Sequence, residues 1–171
     1  MRRVFHKRKR SLANRHLSER YCYAGELDTE TRIRLTRYNE RDLREKEIRV
    51  ADASFDALIR PDQMNWLEVR GLTNADVITR IVKNFGFHEL DAKDILTPLH
   101  VAKIEEYEGR MLIVLNTCYF DERQEMRSEH IGILVSERAV VTFTESDNPI
   151  FENTREALRS NTLNIRRKGY G

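Results

Sequence analysis

The sequence predicts an α/β or α+β layered domain with a mixed, largely antiparallel β-sheet flanked by helices. Two observations lead there. Short runs of period-two alternation lie on both sides of a central stretch whose apolar residues recur with a period near 3.6. The runs after that stretch follow one another through turn-like junctions, as adjacent strands do, and a helical pattern closes the chain.

Residues 32–38 alternate, with Ile33 and Leu35 on one face and Arg32, Arg34 and Thr36 on the other, which suits a half-buried strand. Residues 39–47 are dense in charge and read as a loop or helical turn, with a short strand over 47–50. Pro61-Asp62 punctuates the chain, and Trp66-Leu67-Glu68-Val69 alternates again before Gly71. Thr73 or Asn74 caps a helix whose apolar side chains fall at Val77, Ile78, Ile81, Val82 and Phe85, with Gly86 at its C-terminus. A shorter helix covers 90–96, stopped by Pro98. Strands follow at 103–107, 111–119, 130–135 and 139–144, with turns at Glu108-Gly109 and Ser136-Glu137-Arg138. Asp147 or Asn148 caps a last helix carrying Ile150, Phe151, Thr154 and Leu158. Residues 21–171 form one domain behind a basic, mobile arm over 1–20.

Composition narrows the function classes. The chain has 171 residues, 40% hydrophobic and 34% charged, which fits one core and gives no sign of disorder through the middle. Its apolar runs are far shorter than the roughly 20 residues of a bilayer-spanning helix, and no signal peptide is evident. Cys22 and Cys118 lack metal or redox spacing, in keeping with a reduced cytoplasmic setting. The first ten residues hold six basic groups and no acid, leaving 24 of the 30 basic residues against all 28 acidic ones. Such an arm can touch anionic lipid or nucleic acid, and a stand-alone binding module of that kind is the alternative reading; it requires the natural protein to end near Gly171. No RRM, KH or helix-turn-helix pattern follows the arm, so no nucleic-acid partner is expected.

Catalytic constellations are missing: there is no nucleophile elbow, phosphate loop, zincin motif or paired Cys motif, and the reading is of a protein that is not an enzyme. The histidines are scattered and suit surface or hydrogen-bonding roles. Glu105, Glu106 and Glu108 cluster before a turn, with Glu106 and Glu108 on one face of a continuing strand. In the second helix Leu90, Ile95 and Leu96 supply the apolar face, while Asp91 and Asp94, three apart, are neighbours on a turn. Carboxylate is the ligand type for Mg²⁺, a hard ion that keeps several waters.

From Trp66 onward the sequence resembles the CorA family of divalent-cation transporters. Trp66-Leu67-Glu68-Val69-Arg70-Gly71-Leu72 resembles the family's W-[IV]-D-[VL]-x-G-L strand, with Glu68 for the usual Asp. Phe87-His88-Glu89-Leu90, Asp94-Ile95-Leu96 and Lys103-Ile104-Glu105-Glu106-Tyr107 are similar to its F-x-L-H-P-L-x-x-E-D-I-L and P-K-[VI]-E-x-[YF] blocks. Glu129-His130-Ile131, Val140 through Glu145, Phe151 to Arg155 and Ile165-Arg166-Arg167-Lys168-Gly169 match later blocks in the same order. The resemblance implies an α/β/α cytoplasmic domain on the inner side of the cell membrane, assembling as a homopentamer in the whole transporter, with membrane contact only through later helices. It implies a regulatory role in which Mg²⁺ binds between neighbouring domains and holds a closed state, Asp94 matching the aspartate of that metal site. The preceding family Glu is Lys93 here, and the partner acids lie on a stalk beyond this chain. Co²⁺ or Zn²⁺ transport is equally open within the family.

Overall fold

The computed structural model describes residues 21–52, 58–98, 101–121 and 123–168. The basic arm over 1–20, His100 and the closing glycines lie outside the described residues. Seven strands form one sheet: β1 (Arg32–Tyr38), β2 (Leu43–Ile48), β3 (Met64–Arg70), β4 (Lys103–Tyr107), β5 (Arg110–Phe120), β6 (Met126–Ser136) and β7 (Ala139–Thr144). The α-helices with both ends among the described residues are α1 (Ala75–Asn84), α2 (Glu89–Ile95), α3 (Glu152–Ser160) and the single turn α4 (Ile165–Lys168). The strand order is β2-β1-β3-β7-β6-β5-β4, antiparallel throughout except where β3 and β7 pair in parallel at the centre. A parallel pair is stable when both its faces are covered, and β3 and β7 are the most continuously buried strands.

Two apolar clusters cover those faces. On one, Val77, Ile78, Ile81 and Val82 of α1 and Ala92 and Ile95 of α2 meet Ile33, Leu35, Leu67, Val69, Val141 and Phe143. On the other, Leu158 of α3 joins Tyr38 and Trp66, with Phe151 set edge-on to Trp66 at 5.9 Å between ring centroids. The layers are therefore helix, sheet, helix, as expected for a mixed, largely antiparallel α/β/α domain.

Local signals explain most boundaries. Asn74 caps α1 by accepting from Val77 N at 3.2 Å, and Gly86 at φ +75° ends the turn that follows it. Gly71 leaves β3 at φ +78°, where a Cβ would stand 2.4 Å from the Glu30 carbonyl oxygen, so no side chain fits.

Three expectations change. Residues 43–48 are a strand, not a loop or helical turn: Asn39 Oδ1 accepts from the backbone N–H groups of Arg41 and Asp42, closing a hairpin that pairs β2 with β1. Charge density is compatible with β2 because it is an edge strand whose Arg44, Glu45, Lys46 and Glu47 are exposed. The hairpin of β5 and β6 runs longer than the apolar pattern indicates, pairing as far as Phe120 with Met126. The last helix starts at Glu152, without a side-chain cap, rather than beside Asn148 and Pro149. Tertiary seating of Phe151 against Trp66 decides that start.

Candidate functional site

The α2–β4 corner gathers the acids that the sequence offers as ligands. α2 begins with a reciprocal cap: His88 Nδ1 accepts from Leu90 N at 3.1 Å, and Asp91 Oδ2 accepts from His88 N at 2.9 Å. Asp91 is buried, and its Oδ1 accepts the Tyr107 hydroxyl at 2.8 Å. Its charge therefore serves the helix terminus and the strand beside it. One turn later Asp94 stands at the surface end, its side chain 19% exposed. The apolar face of α2 is Ala92, Ile95 and Leu96; Leu90, expected there, is 54% exposed.

β4 supplies the other half. Period two places Lys103, Glu105 and Tyr107 on one face of the strand. Lys103 Nζ donates to Asp94 Oδ2 at 2.5 Å and to Glu105 Oε1 at 2.8 Å, bridging helix and strand. Tyr107 is held edge-on to Phe87 at 5.5 Å and also lies 2.9 Å from Glu105 Oε2. Its one proton serves two carboxylates, Asp91 and Glu105, in alternation.

The electrostatics follow from these contacts. Burial works against the Lys103 ammonium, but hydrogen bonds to Asp94 and Glu105 outweigh it and raise its pKa above the ordinary lysine value. The same Lys103 bond, then the Tyr107 bond, hold Glu105 below the usual carboxylate range. Burial first, and then the two carboxylate neighbours, push the Tyr107 phenol upward. Asp91, Asp94 and Glu105 are thus linked through the Lys103 ammonium and the Tyr107 phenol.

One copy of the chain does not by itself fit Mg²⁺. Among the described residues no group of three or more His, Cys, Asp or Glu is arranged to hold a metal ion. Asp94 offers carboxylate oxygen, the right donor, but an ammonium already lies on it. Lys93, which replaces an acid in the resembling motif, is exposed. The cation on Asp94 comes from Lys103, ten residues after Lys93. The signal for it was its shared face with Glu105.

Other acids prove structural. β4 ends at Tyr107, so Glu108 belongs to the turn and the supposed face with Glu106 does not continue. Glu129, within β6, and Glu145, just after β7, are buried. Ser146 donates to Glu129 from its backbone N–H at 2.8 Å and its hydroxyl at 2.6 Å, while Tyr23 and the His130 backbone N–H bond to Glu145. Burial pushes the Glu129 carboxyl up. The His130 ring lies against Asn116 Oδ1 and the Ile95 carbonyl, each at 3.1 Å, which ties β6 to α2. His88 and His130 thus have the hydrogen-bonding roles expected of them. Cys22 and Cys118 are free thiols.

The cobalt/magnesium transport protein CorA of Thermotoga maritima is 28% identical over 148 residues, covering 85% of this chain and 42% of that protein. The soluble domain of CorA from Methanocaldococcus jannaschii superposes with a TM-score of 0.51 at 14% identity, over 77% of this chain and 48% of that one. The ZntB cytoplasmic domain from Vibrio parahaemolyticus superposes at 0.52 and 13% identity, over 73% and 49%. At such identities the structural matches speak for the fold alone, and the chain spans under half the length of each of these relatives. The whole corner from His88 to Tyr107 falls inside residues 61–169, which match the family model described as CorA-like Mg²⁺ transporter protein. That match takes in the larger part of the chain, and so the chain belongs to the CorA-like family of Mg²⁺ transporter proteins.

Proposed function

We propose that this chain is the cytoplasmic, Mg²⁺-sensing regulatory domain of a CorA-family divalent-cation transporter, working as one subunit of a homopentamer. The family match and the relatives' names as cobalt/magnesium transporter and as cytoplasmic domain support it. No helix among the described residues is long and apolar enough to cross a membrane. Conduction, whether of Mg²⁺, Co²⁺ or Zn²⁺, is therefore assigned to segments outside them.

The observation that carries the sensing role is Asp94, a partly exposed carboxylate at the end of α2 that shares Lys103 with Glu105. A divalent ion shared with acids of a neighbouring subunit favours the arrangement that brings those acids together. Without the ion they repel. Asp94 supplies one ligand of such a site and the neighbour completes it.

The test is chymotrypsin protection of the full-length natural protein across a Mg²⁺ titration. Asp94→Asn should raise the midpoint of protection by about tenfold or more, the loss of one charged ligand costing about 1.4 kcal/mol or more. An unchanged midpoint would remove Asp94 from the sensor.

A further inference from the structure

We propose that the back of the β5–β6 hairpin is the seat of one amphipathic α-helix, supplied by the same polypeptide outside residues 1–171. This goes beyond the sensing role and does not depend on it.

Both faces of β5 and β6 are apolar, but they are covered unequally. Leu112, Val114 and Leu134 point forward into the cluster with α1 and α2 and are buried. Met111, Ile113 and Leu115 on β5, with Ile133 and Val135 on β6, point backward by the period of two and are partly exposed. A strand with water on one face alternates apolar with polar residues, whereas a continuous apolar run belongs to a strand covered on both faces. The runs 111–115 and 131–135 are of the second kind.

Strand register gathers the backward side chains into rows. Met111 lies beside Val135 and then Val140, Ile113 beside Ile133, and Leu115 beside Ile131. Ile104, on the edge strand, extends the middle row and is 64% exposed. Behind the sheet α3 reaches Tyr38, Trp66 and Val140. An apolar groove of about 260 Å³ lies between α3 and Ile133 and runs into the open rows. Ile165 of α4 lines that groove, so chain following α4 has the rows within reach. The seat lies behind α2, which packs on the front of β6 at Gly132, where a Cβ would stand 2.9 Å from Ile95 Cγ1.

Dimensions select the occupant. From Met111 to Tyr119 the backward face of β5 runs about 27 Å, the length of about 18 helical residues. The four strands from β4 to β7 span about 14 Å, room for one helix about 10–12 Å wide. The product, about 400 Å² a side, is about half of what each partner buries in a standard interface between separate chains. A second copy gains too little there to hold itself in place. A segment of the same polypeptide is held at high effective concentration and needs no larger surface. The length of chain is accounted for as well. This chain spans 48% of the soluble domain of CorA from Methanocaldococcus jannaschii and 49% of the ZntB cytoplasmic domain from Vibrio parahaemolyticus, so each of those domains holds about as much chain again.

The experiment is photo-crosslinking in the full-length natural protein, with benzoylphenylalanine replacing Ile113 in one variant and Leu115 in a second. Irradiation should give a product of single-chain mass. Its crosslinked peptide should lie outside residues 1–171 and carry apolar residues at i, i+3 or i+4, and i+7. A product of twice the mass overturns the proposal in favour of a second copy, and a peptide from within residues 1–171 overturns it in favour of another segment of this chain. A peptide without the helical spacing, or no product at all, overturns it too. Carbene footprinting of the unmodified full-length protein needs no substitution and decides if neither variant folds. Ile104 should be labelled at least about threefold less in the native protein than in the urea-unfolded one, as covered apolar surface is. A smaller difference means that the face is bare, and overturns the proposal.

Discussion

The two sides of the sheet each carry a cluster of acids around basic side chains, and they differ in access to water. Behind the sheet, Arg155 of α3 reaches Glu68 of β3 at 2.5 Å, with side-chain exposures of 5% and 3%. Glu152 also contacts Arg155, and Glu45 of β2 bonds Arg159 at 2.8 Å, so the network ties α3 to β2 and β3. In front, Lys103 holds Asp94 and Glu105 at the edge of the sheet, partly in water. The same charge chemistry is a rivet in one place and a replaceable contact in the other. Burial decides which, because a buried charge deprived of its partner has no solvent to turn to.

The comparison can be broken most forcefully from the back. Arg155→Met leaves Glu68 buried without its cation, and should cost about 3–5 kcal/mol of stability in urea unfolding. The double variant Glu68→Met/Arg155→Leu should recover most of that loss, because apolar replacement of both partners removes the desolvation problem. A loss below about 1 kcal/mol in the single variant would mean that the pair is solvated, and the contrast would fall.

A smaller effect is expected within the front cluster. Asp91→Ala removes the reciprocal cap on α2 and the acceptor for Tyr107, and should cost about 1–3 kcal/mol. Asp94→Asn, on the same helix but nearer water, should cost less than about 1 kcal/mol. Equal losses at the two positions would show that Asp94 is a structural acid like Asp91.

The smallest effect concerns pH. Glu105 has its pKa lowered chiefly by Lys103, so it contributes stability above the ordinary carboxylate pKa and loses it as pH falls through the lowered value. Lys103→Met should therefore show a small deficit in unfolding stability at neutral pH that shrinks as the solution is acidified through and below about pH 4. Added salt should shrink it too. A deficit that grows on acidification would mean that another group couples to Lys103.

Much of the fold was legible because its signals are local. The apolar spacing of Val77, Ile78, Ile81 and Val82, the Asn74 cap and Gly86 all act within a few residues of one another, and α1 forms where they predict. The alternation of Ile33 and Leu35 placed β1. β2 was not legible, since its Arg-Glu-Lys-Glu run has no apolar alternation and is a strand only because β1 offers it an edge. The start of α3 was missed for a related reason, Asn148 and Pro149 being good local start signals that the seating of Phe151 on Trp66 overrides. At the candidate site, Asp94 was found through a motif, and Lys103, in the next motif, was not connected to it.

The sequence by itself determined the class of the domain, the order of most of its elements and the family to which it belongs, because periodicity, caps and short motifs are written in neighbouring residues. Tertiary structure alone decided which charges meet. Glu68 and Arg155 are 87 positions apart and join only because α3 crosses behind β3. Lys103 finds Asp94 because β4, at the end of the sheet, runs beside the end of α2. Nor could the sequence distinguish the rivet from the replaceable contact: solvent access is a property of the assembled layers, and solvent access sets the strength of an ion pair.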